Sequence, residues 1–230
     1  SCSLVGSEMC IRDRTYTVRR NNIEVTASHR FCNAAPVTIA IYYGMQSMFE
    51  GETHVLTPGG AYTDWTEVAK ASTFTKQEHP LFRRYVEKNR QGYQSTWLLP
   101  DGLGDHALLD GQDDIFIYAP YGKSYHKLIG NKRMENGDKT CWRGVYTWFE
   151  TPIADDADLL CYEGSVGGHT AVFIDCKRAC KRTLALPGYL DLRHFGTAEQ
   201  NSGIRISAAG RNKLKIKAGA PGSCVLLLRE

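Results

Sequence analysis

Two short segments contain residue types that are used in phosphate-binding and nucleophilic motifs, but each lacks a required glycine. Gly122-Lys123-Ser124 matches the end of a phosphate-binding loop, whose pattern needs a glycine where this chain has Ile117. The segment 163–167 approaches a nucleophile elbow, with Glu163 where the first glycine belongs. Without these glycines the backbone cannot make the required turns. We interpret both segments as turns or loops between strands, and we assign no catalytic residue.

The chain contains no complete metal-binding spacing. Its 7 His are scattered and form neither a His-Glu-x-x-His motif nor a Cys/His zinc pattern. Two acidic clusters lack the spacing of a calcium loop, so we expect solvated turns. The clusters are Asp101, Asp105, Asp110, Asp113 and Asp114, and Asp155, Asp156 and Asp158. We predict no bound metal and no cofactor.

Basic residues form two groups near the end of the chain. In the second group lysines alternate with Leu214 and Ile216, which predicts a strand with one basic and one apolar face. This face is either a solvated strand surface or a docking surface for an acidic partner. The residues of the candidate basic docking surface are Lys177, Arg178, Lys181, Arg182, Lys213, Lys215 and Lys217.

Aromatic residues are numerous: the chain has 12 Tyr, 8 Phe and 4 Trp. Such residues suit protein interfaces, and they also form stacking platforms for sugars. The candidate sugar platform is Trp97, Trp142, Tyr146 and Trp148. Aromatic rings on a concave sheet near carboxylates would favour sugar binding. Rings in the core or against another chain would favour protein contacts.

The chain has 8 Cys, of which Cys2 and Cys10 lie in an unusual N-terminal segment. The other six allow 15 disulfide connectivities, and sequence alone does not choose among them. The six are Cys32, Cys141, Cys161, Cys176, Cys180 and Cys224. An oxidising compartment (organelle lumen or extracellular space) is slightly favoured, and six reduced, buried thiols are the alternative.

Most of the sequence consists of β-branched and aromatic runs that Gly and Pro interrupt, the pattern of short strands. We predict strands within residues 15–28 (two strands around Asn21-Asn22), 37–43, 114–119, 144–150, 170–175, 184–186, 204–207, 214–217 and 224–228. Strands at this spacing are typical of a sandwich or a barrel. The predicted fold class is mainly β, a β-sandwich or a barrel-like fold.

A short helical insertion is predicted around residues 60–92. Asp64 and Glu67 have the spacing of a capping box, which predicts a helix ending near Ala71. Residues 81, 82, 85 and 86 are apolar, a spacing that places one apolar stripe on a second helix. Gly92 stands where that helix would end.

The composition indicates a packed globular protein, with 230 residues, 42% hydrophobic and 23% charged. No apolar run approaches the roughly 20 residues that span a bilayer, so no transmembrane segment is predicted. A net charge of +3 is too small to indicate nucleic-acid binding. We predict a β-domain at 15–150 with the helical insertion, and a second β-rich half at 151–230 that could belong to the same domain.

The N-terminal segment, residues 1–14, reads SCSLVGSEMCIRDR and lacks periodicity. It resembles sequence that arises when sequencing-adapter bases are translated. Because the chain begins at Ser1 without Met, we expect a fragment or a processed form. We interpret residues 1–14 as an artefact or a tail that contributes little to stability.

A pattern across residues 31–119 resembles a known type of domain. Cys32-Asn33, the apolar strand 37–43, the Leu-Pro-Asp-Gly turn ending at Gly102 and the aromatic strand 115–119 follow in order. The pattern resembles an uncharacterised bacterial β-domain family of unknown function and, more distantly, the β-domain of the von Hippel–Lindau protein. It departs from both in the insertion at 45–95 and in Asp101, which separates Pro from Gly.

The resemblance implies an interaction module without catalysis through these residues. In the resembled pattern, the Cys before the first core strand can be tied to one after the aromatic strand. That implies a disulfide between Cys32 and Cys141; the alternative is two separately buried thiols.

Two functional hypotheses follow from the sequence. The leading one is a non-enzymatic accessory or structural subunit of a larger assembly, acting through contacts with other protein subunits. Many strands, modest charge and the absence of a complete catalytic motif favour it. The alternative is a secreted β-sandwich protein that binds carbohydrate or acts on it. Neither hypothesis involves nucleic acid.

Overall fold

The computed structural model describes residues 11–48, 51–99, 110–119, 122–201 and 203–228. These residues form nineteen strands and one short 3₁₀ turn, Val68–Lys70. In chain order the strands are β1 (Ile11–Arg19), β2 (Asn22–Arg30), β3 (Val37–Met48), β4 (His54–Leu56), β5 (Thr66–Glu67), β6 (Phe74–Thr75), β7 (Arg84–Asn89), β8 (Gly92–Leu98), β9 (Asp114–Ala119), β10 (Lys123–Met134), β11 (Lys139–Phe149), β12 (Ala154–Asp155), β13 (Leu159–Val166), β14 (His169–Cys176), β15 (Cys180–Ala185), β16 (Phe195–Gln200), β17 (Ile204–Gly210), β18 (Lys213–Ala218) and β19 (Gly222–Leu228). The prediction of a mainly β fold is confirmed.

The strands of the described residues pair antiparallel in four sheets. Sheet I has the order β3-β10-β9-β6, and sheet II has the order β1-β2-β11-β8-β7-β4-β5. Sheet III has the order β12-β13-β14-β19-β16, and sheet IV has the order β15-β18-β17. The first and last strands of each sheet do not pair with each other, so the sheets are open and the architecture is sandwich-like.

The four sheets stack in layers with apolar cores between them. Cores that include Met45, Trp142 and Phe116 lie between sheets I and II. A core that includes Trp97 and Phe173 lies between sheets II and III. A further core, with Leu214 among its residues, lies between sheets III and IV. Sheets II and III are therefore covered on both faces.

Strand sequences differ according to the number of faces that are covered. In β18 the lysines are exposed and Leu214, Ile216 and Ala218 are buried, because sheet IV has one covered face. In β14 the run Ala171–Cys176 is buried without alternation, because sheet III is covered on both sides.

The predicted helices at 60–92 do not form, and this prediction is wrong. Tyr85 and Val86 lie in β7, where they pack into different cores on opposite faces of sheet II. Adjacent apolar residues resemble the apolar stripe of a helix in the sequence, but here they belong to a strand that is covered on both faces. Gly92 has a positive φ of 136° next to the two-residue turn between β7 and β8. Glu67 pairs with His54 in a strand ladder instead of closing a capping box.

The N-terminal segment is partly described. Residues 11–14, which the sequence assigns to an artefact or tail, are the first residues of β1 and pair with β2. Residues 1–10 lie outside the described part of the chain.

Sheets I and II contain the strands up to Phe149, and sheets III and IV contain the strands from Ala154 onward. This division lies next to the domain boundary expected at 150–151. The core between sheets II and III joins the two halves.

Helices with the length and apolar character needed to cross a membrane do not occur among the described residues.

Candidate functional site

A cavity of about 1310 Å³ opens at one end of sheet II, where turns and strand ends converge. The β1–β2 turn (Arg20 and Asn21), the β7–β8 turn and the end of β11 form one side. Glu163 of β13 and Tyr189 of the loop between β15 and β16 also line the cavity. We call this cavity the end cleft. Among proteins generally, a concave site that mixes apolar and polar groups is the default place to expect a ligand.

Asn22 holds this end of sheet II against sheet III. Its Nδ2 donates to Thr147 Oγ1 at 3.0 Å and to the Ser165 carbonyl at 2.8 Å, and its Oδ1 accepts from the Ser165 N–H at 3.2 Å. The side chain is 1% exposed. Because these bonds link β2, β11 and β13, the strands that border the end cleft are fixed relative to one another.

A column of stacked rings runs from the end cleft into the core between sheets II and III. The ring centroids of Tyr93 and Phe149 are 4.8 Å apart, those of Phe149 and Tyr162 are 4.3 Å apart, and those of Tyr162 and Phe173 are 4.7 Å apart. Interplanar angles are 9° or less. Tyr93 and Phe149 line the end cleft. The aromatic wall is therefore anchored in the core and is rigid.

The hydroxyl group of Tyr93 is fixed as a hydrogen-bond donor. It donates to Asp155 Oδ2 at 3.0 Å. Burial, and to a smaller extent the charge of Asp155, raises the pKa of Tyr93 to about 12. The hydroxyl group consequently stays protonated at neutral pH and keeps the ring in place.

Two rings in the end cleft are exposed. Trp148 is 40% exposed and stacks on Tyr146, with ring centroids 5.9 Å apart. Tyr189 is 72% exposed, and its hydroxyl group donates to Glu163 Oε2 at 2.7 Å. This hydrogen bond raises the pKa of Tyr189. Both rings offer apolar surface to a ligand.

Polar groups that can bind hydroxyl groups surround these rings. The lining includes the amides Asn89, Gln91 and Gln94 and the carboxylates Glu150 and Glu163. Amides both donate and accept hydrogen bonds, and carboxylates accept them. The end cleft therefore combines apolar rings with groups that orient a polyhydroxylated molecule.

The predicted sugar platform does not exist as a unit, and this prediction is corrected. Trp97 is 1% exposed and Trp142 is 4% exposed. The Trp97 indole donates to Glu199 Oε2 at 2.5 Å, and the Trp142 indole donates to the Tyr42 hydroxyl at 2.9 Å. Both belong to cores because sheet II is covered on both faces. Of the four residues, Trp148 lines the end cleft, with Tyr146 stacked on it.

The exposed Tyr189 was not among the sequence candidates. It directly follows Pro187-Gly188, a dipeptide that marks a turn. An aromatic residue after such a turn is a signal for a ring presented on a loop. That signal could have identified Tyr189.

Three residues of the predicted basic docking surface are neutralised within the chain. Lys177 Nζ lies 2.8 Å from Asp155 Oδ1, and Arg178 Nε lies 2.7 Å from Asp158 Oδ1. Arg182 Nη1 lies 2.7 Å from Asp158 Oδ2. The nearby acidic cluster, expected to be a solvated turn, binds all three, so they add no unbalanced positive charge to the predicted docking surface. Lys181, Lys213, Lys215 and Lys217 remain exposed.

The predicted disulfide is absent from the structure. Cys32 and Cys141 are both free thiols. Cys141 pairs with Ser28 in the ladder of β2 and β11, four residues before Cys32. Four extended residues span about 13 Å, which exceeds the roughly 4.4–6.8 Å that a disulfide requires between Cα atoms. Antiparallel pairing of β2 with β11, which the sequence does not specify, therefore separates the two cysteines.

The segment that resembles a phosphate loop has a structural role. The Gly122 N–H donates to the Ala119 carbonyl at 3.0 Å in the turn between β9 and β10. The hydroxyl of Ser124 donates to Glu87 Oε1 at 2.6 Å, and the hydroxyl of Ser47 donates to Glu87 Oε2. Burial of Glu87 raises its pKa to about 7. Gly122 lies in the turn, whereas Lys123 and Ser124 already belong to β10.

A buried ion pair joins sheets II and III. Arg84 of β7 donates to Asp175 of β14, and both side chains are at most 1% exposed. Burial raises the pKa of Asp175 to about 6, although the charge of Arg84 opposes this shift. The pair is enclosed in the core and does not line the end cleft.

The described residues contain no group of three or more His, Cys, Asp or Glu side chains that could hold a metal ion. The chain matches no family model, no curated protein and no solved structure. The resemblance of residues 31–119 to β-domain families therefore stays a prediction.

Proposed function

We propose that this protein binds oligosaccharides in the end cleft. The observation that carries the proposal is the pair of exposed rings, Trp148 and Tyr189, in a large cavity that also contains amides and carboxylates. Sugar rings have apolar faces that stack on aromatic side chains and hydroxyl groups that bind amides and carboxylates. The rigid column behind Phe149 lowers the ordering cost of binding.

The experiment uses cellohexaose, laminarihexaose and chitohexaose as probes, with binding followed by titration calorimetry and tryptophan fluorescence. We expect one of them to bind, and we expect Trp148→Ala and Tyr189→Ala each to weaken binding about tenfold. Tyr16→Ala is the matched control, because Tyr16 is 55% exposed and lies on β1, outside the end cleft.

The same probes separate binding from catalysis. Glu150 and Glu163 both line the end cleft, so reducing ends are measured during the titrations. Intact probes support a binding protein. Cleavage that Glu150→Gln or Glu163→Gln abolishes would replace the proposal with a carbohydrate-active enzyme. Equal affinity of the wild type and the two aromatic variants would contradict the proposed site.

A second candidate function is docking of a partner protein along β1. Tyr16 and Val18 are 55% and 72% exposed, and they pair with Val25 and Ile23, which belong to or pack against the core between sheets I and II. Tyr16 and Val18 therefore continue the apolar surface of sheet II beyond the part that sheet I covers. Within the described residues, β1 pairs with β2 on one side and its other edge is open.

This apolar edge fits an added strand from an acidic partner subunit, because Arg14, Arg19 and Arg20 flank it. The test is the native mass of the protein in extracts of its source cells. We expect a mass above that of one chain, and Val18→Lys should reduce it to that of one chain. Tyr189→Ala is the control and should leave the mass unchanged. A single-chain mass for the wild type would contradict partner docking.

A further inference from the structure

The outer face of sheet IV carries an array of positive charges. The strand register aligns Lys181, Lys217 and Arg205 in one row across β15, β18 and β17. Lys215 and Lys213 continue along β18 at two-residue intervals, about 7 Å per step. All five side chains are exposed. Neighbouring strands are about 4.8 Å apart, so the charges form a compact array, which we call the basic face.

Among the described residues, the basic face has no internal counterion. The other aligned positions of the three strands are Thr183, Ser207, Ala185 and Gly210, so none of the nine is acidic. Among the described residues, none of the five cations forms an ion pair, in contrast to Lys177, Arg178 and Arg182. Like charges placed opposite each other on a sheet are destabilising. A polyanionic ligand would remove this repulsion.

We propose that the basic face binds a linear sulfated polysaccharide. Four of the five cations are lysines, whose compact ammonium groups pair with sulfate as point charges. The hydroxyl groups of Thr183 and Ser207 flank Lys215 and can bind sugar hydroxyl groups or sulfate oxygens. An exposed face with charges at regular intervals fits an extended chain. The proposal is independent of the end cleft, because the two sites share no residue.

The same observations disfavour other polyanions. The nine positions contain no aromatic residue on which the bases of a single strand could stack. A three-stranded sheet face does not offer the helix or two-stranded ribbon that enters a major groove. It also lacks the exposed Trp, Phe or Leu side chains that anchor proteins in a membrane interface.

The experiment measures binding of heparin by surface plasmon resonance at two salt concentrations. We expect the wild type to bind, with an affinity that falls as salt rises. The variant Lys181→Ser/Lys215→Ser/Lys217→Ser should bind at least about tenfold more weakly, with a shallower salt dependence. These positions are exposed, and an unchanged thermal melt verifies that the variant is folded.

The matched control is Arg30→Ser/Arg90→Ser/Lys139→Ser, which removes the same charge from three exposed residues outside sheet IV. It should keep wild-type affinity. An equal loss of affinity would show that net charge alone attracts heparin and would overturn the proposal.

Desulfated heparin should bind much more weakly, and equal binding would overturn recognition of sulfate. Single-stranded DNA or phosphatidylserine vesicles that bind more tightly through the same lysines would replace the polysaccharide as ligand.

Discussion

Glu87 lies between sheets I and II, where the hydroxyl groups of Ser47 and Ser124 donate to its carboxylate. Its pKa is raised from 4.5 to about 7 because burial penalises the charged form. Between these two pH values the folded protein binds more protons than the unfolded chain, so the contribution of Glu87 to stability falls as pH rises. Glu87 is therefore a buried acid whose ionisation destabilises the fold.

We predict that Glu87→Gln stabilises the protein above pH 7 by about 3 kcal/mol and has little effect below pH 4.5. Glutamine keeps the shape and the hydrogen-bonding capacity of the side chain but never ionises. Urea unfolding of both proteins at the two pH extremes measures the difference. Other groups titrate in both proteins and cancel, including His126, whose pKa burial lowers to about 3. A stability difference that does not change with pH would contradict the raised pKa of Glu87.

The Arg84–Asp175 pair supports a second prediction at the residue scale. Nε and Nη1 of Arg84 and Oδ2 of Asp175 are buried without a hydrogen-bond partner among the described residues, so the pair already leaves polar atoms unsatisfied. We expect Arg84→Met or Asp175→Asn alone to destabilise the fold by about 3–5 kcal/mol, because each leaves an unbalanced charge in the core.

The double variant Arg84→Met/Asp175→Asn should be more stable than Arg84→Met alone, because neither charge remains in the core. Equilibrium unfolding of the four proteins completes a double-mutant cycle. Purely additive effects would show that the two groups do not interact across the sheets.

At the scale of elements, the side chain of Met45 in β3 packs directly on Gly144 of β11. A Cβ at this position would lie 2.6 Å from Met45 Cε, with Met45 Sδ nearer still. We predict that Gly144→Val costs about 1–3 kcal/mol through overpacking. Adding Met45→Ala should recover part of this loss, although Met45→Ala alone creates a cavity. Thermal denaturation of the three variants measures the coupling. A double variant as unstable as the sum of the single changes would contradict direct packing of Met45 on residue 144.

At the scale of the whole molecule, sheets II and III share one core. Leu160, Tyr162, Phe173 and Val225 contribute the side of sheet III to it. The second half of the chain expressed alone would expose these residues to water. We predict that a fragment of residues 152–230 binds a hydrophobic dye and lacks a cooperative unfolding transition, whereas the intact chain unfolds in one transition. Mixing with residues 1–151 should reduce dye binding. A sharp transition in the isolated fragment would show two independent domains.

Local patterns in the sequence predicted about half of the strands, whereas β7 was predicted as a helix. Alternation of Lys with Leu and Ile in β18 predicted one basic and one apolar face, and both are present. Asn21 predicted the turn between β1 and β2. Period-two patterns and turn residues are local properties of a strand, so the mainly β class and the basic lysines of sheet IV could be inferred from residues close together in the chain.

Tertiary structure decided which rings and charges are free. Trp97 and Trp148 look equivalent in the sequence, yet a second covering sheet buries Trp97 and leaves Trp148 in the end cleft. Lys177 and Lys217 carry the same charge, yet Asp155 of β12 neutralises Lys177. Arg205 joins the basic face through a ladder that aligns β17 with β18. Burial, ion pairing and register depend on residues that are distant in the chain. The sequence alone therefore determined the mainly β class and about half of the strands, and the stacking of the four sheets determined the candidate sites.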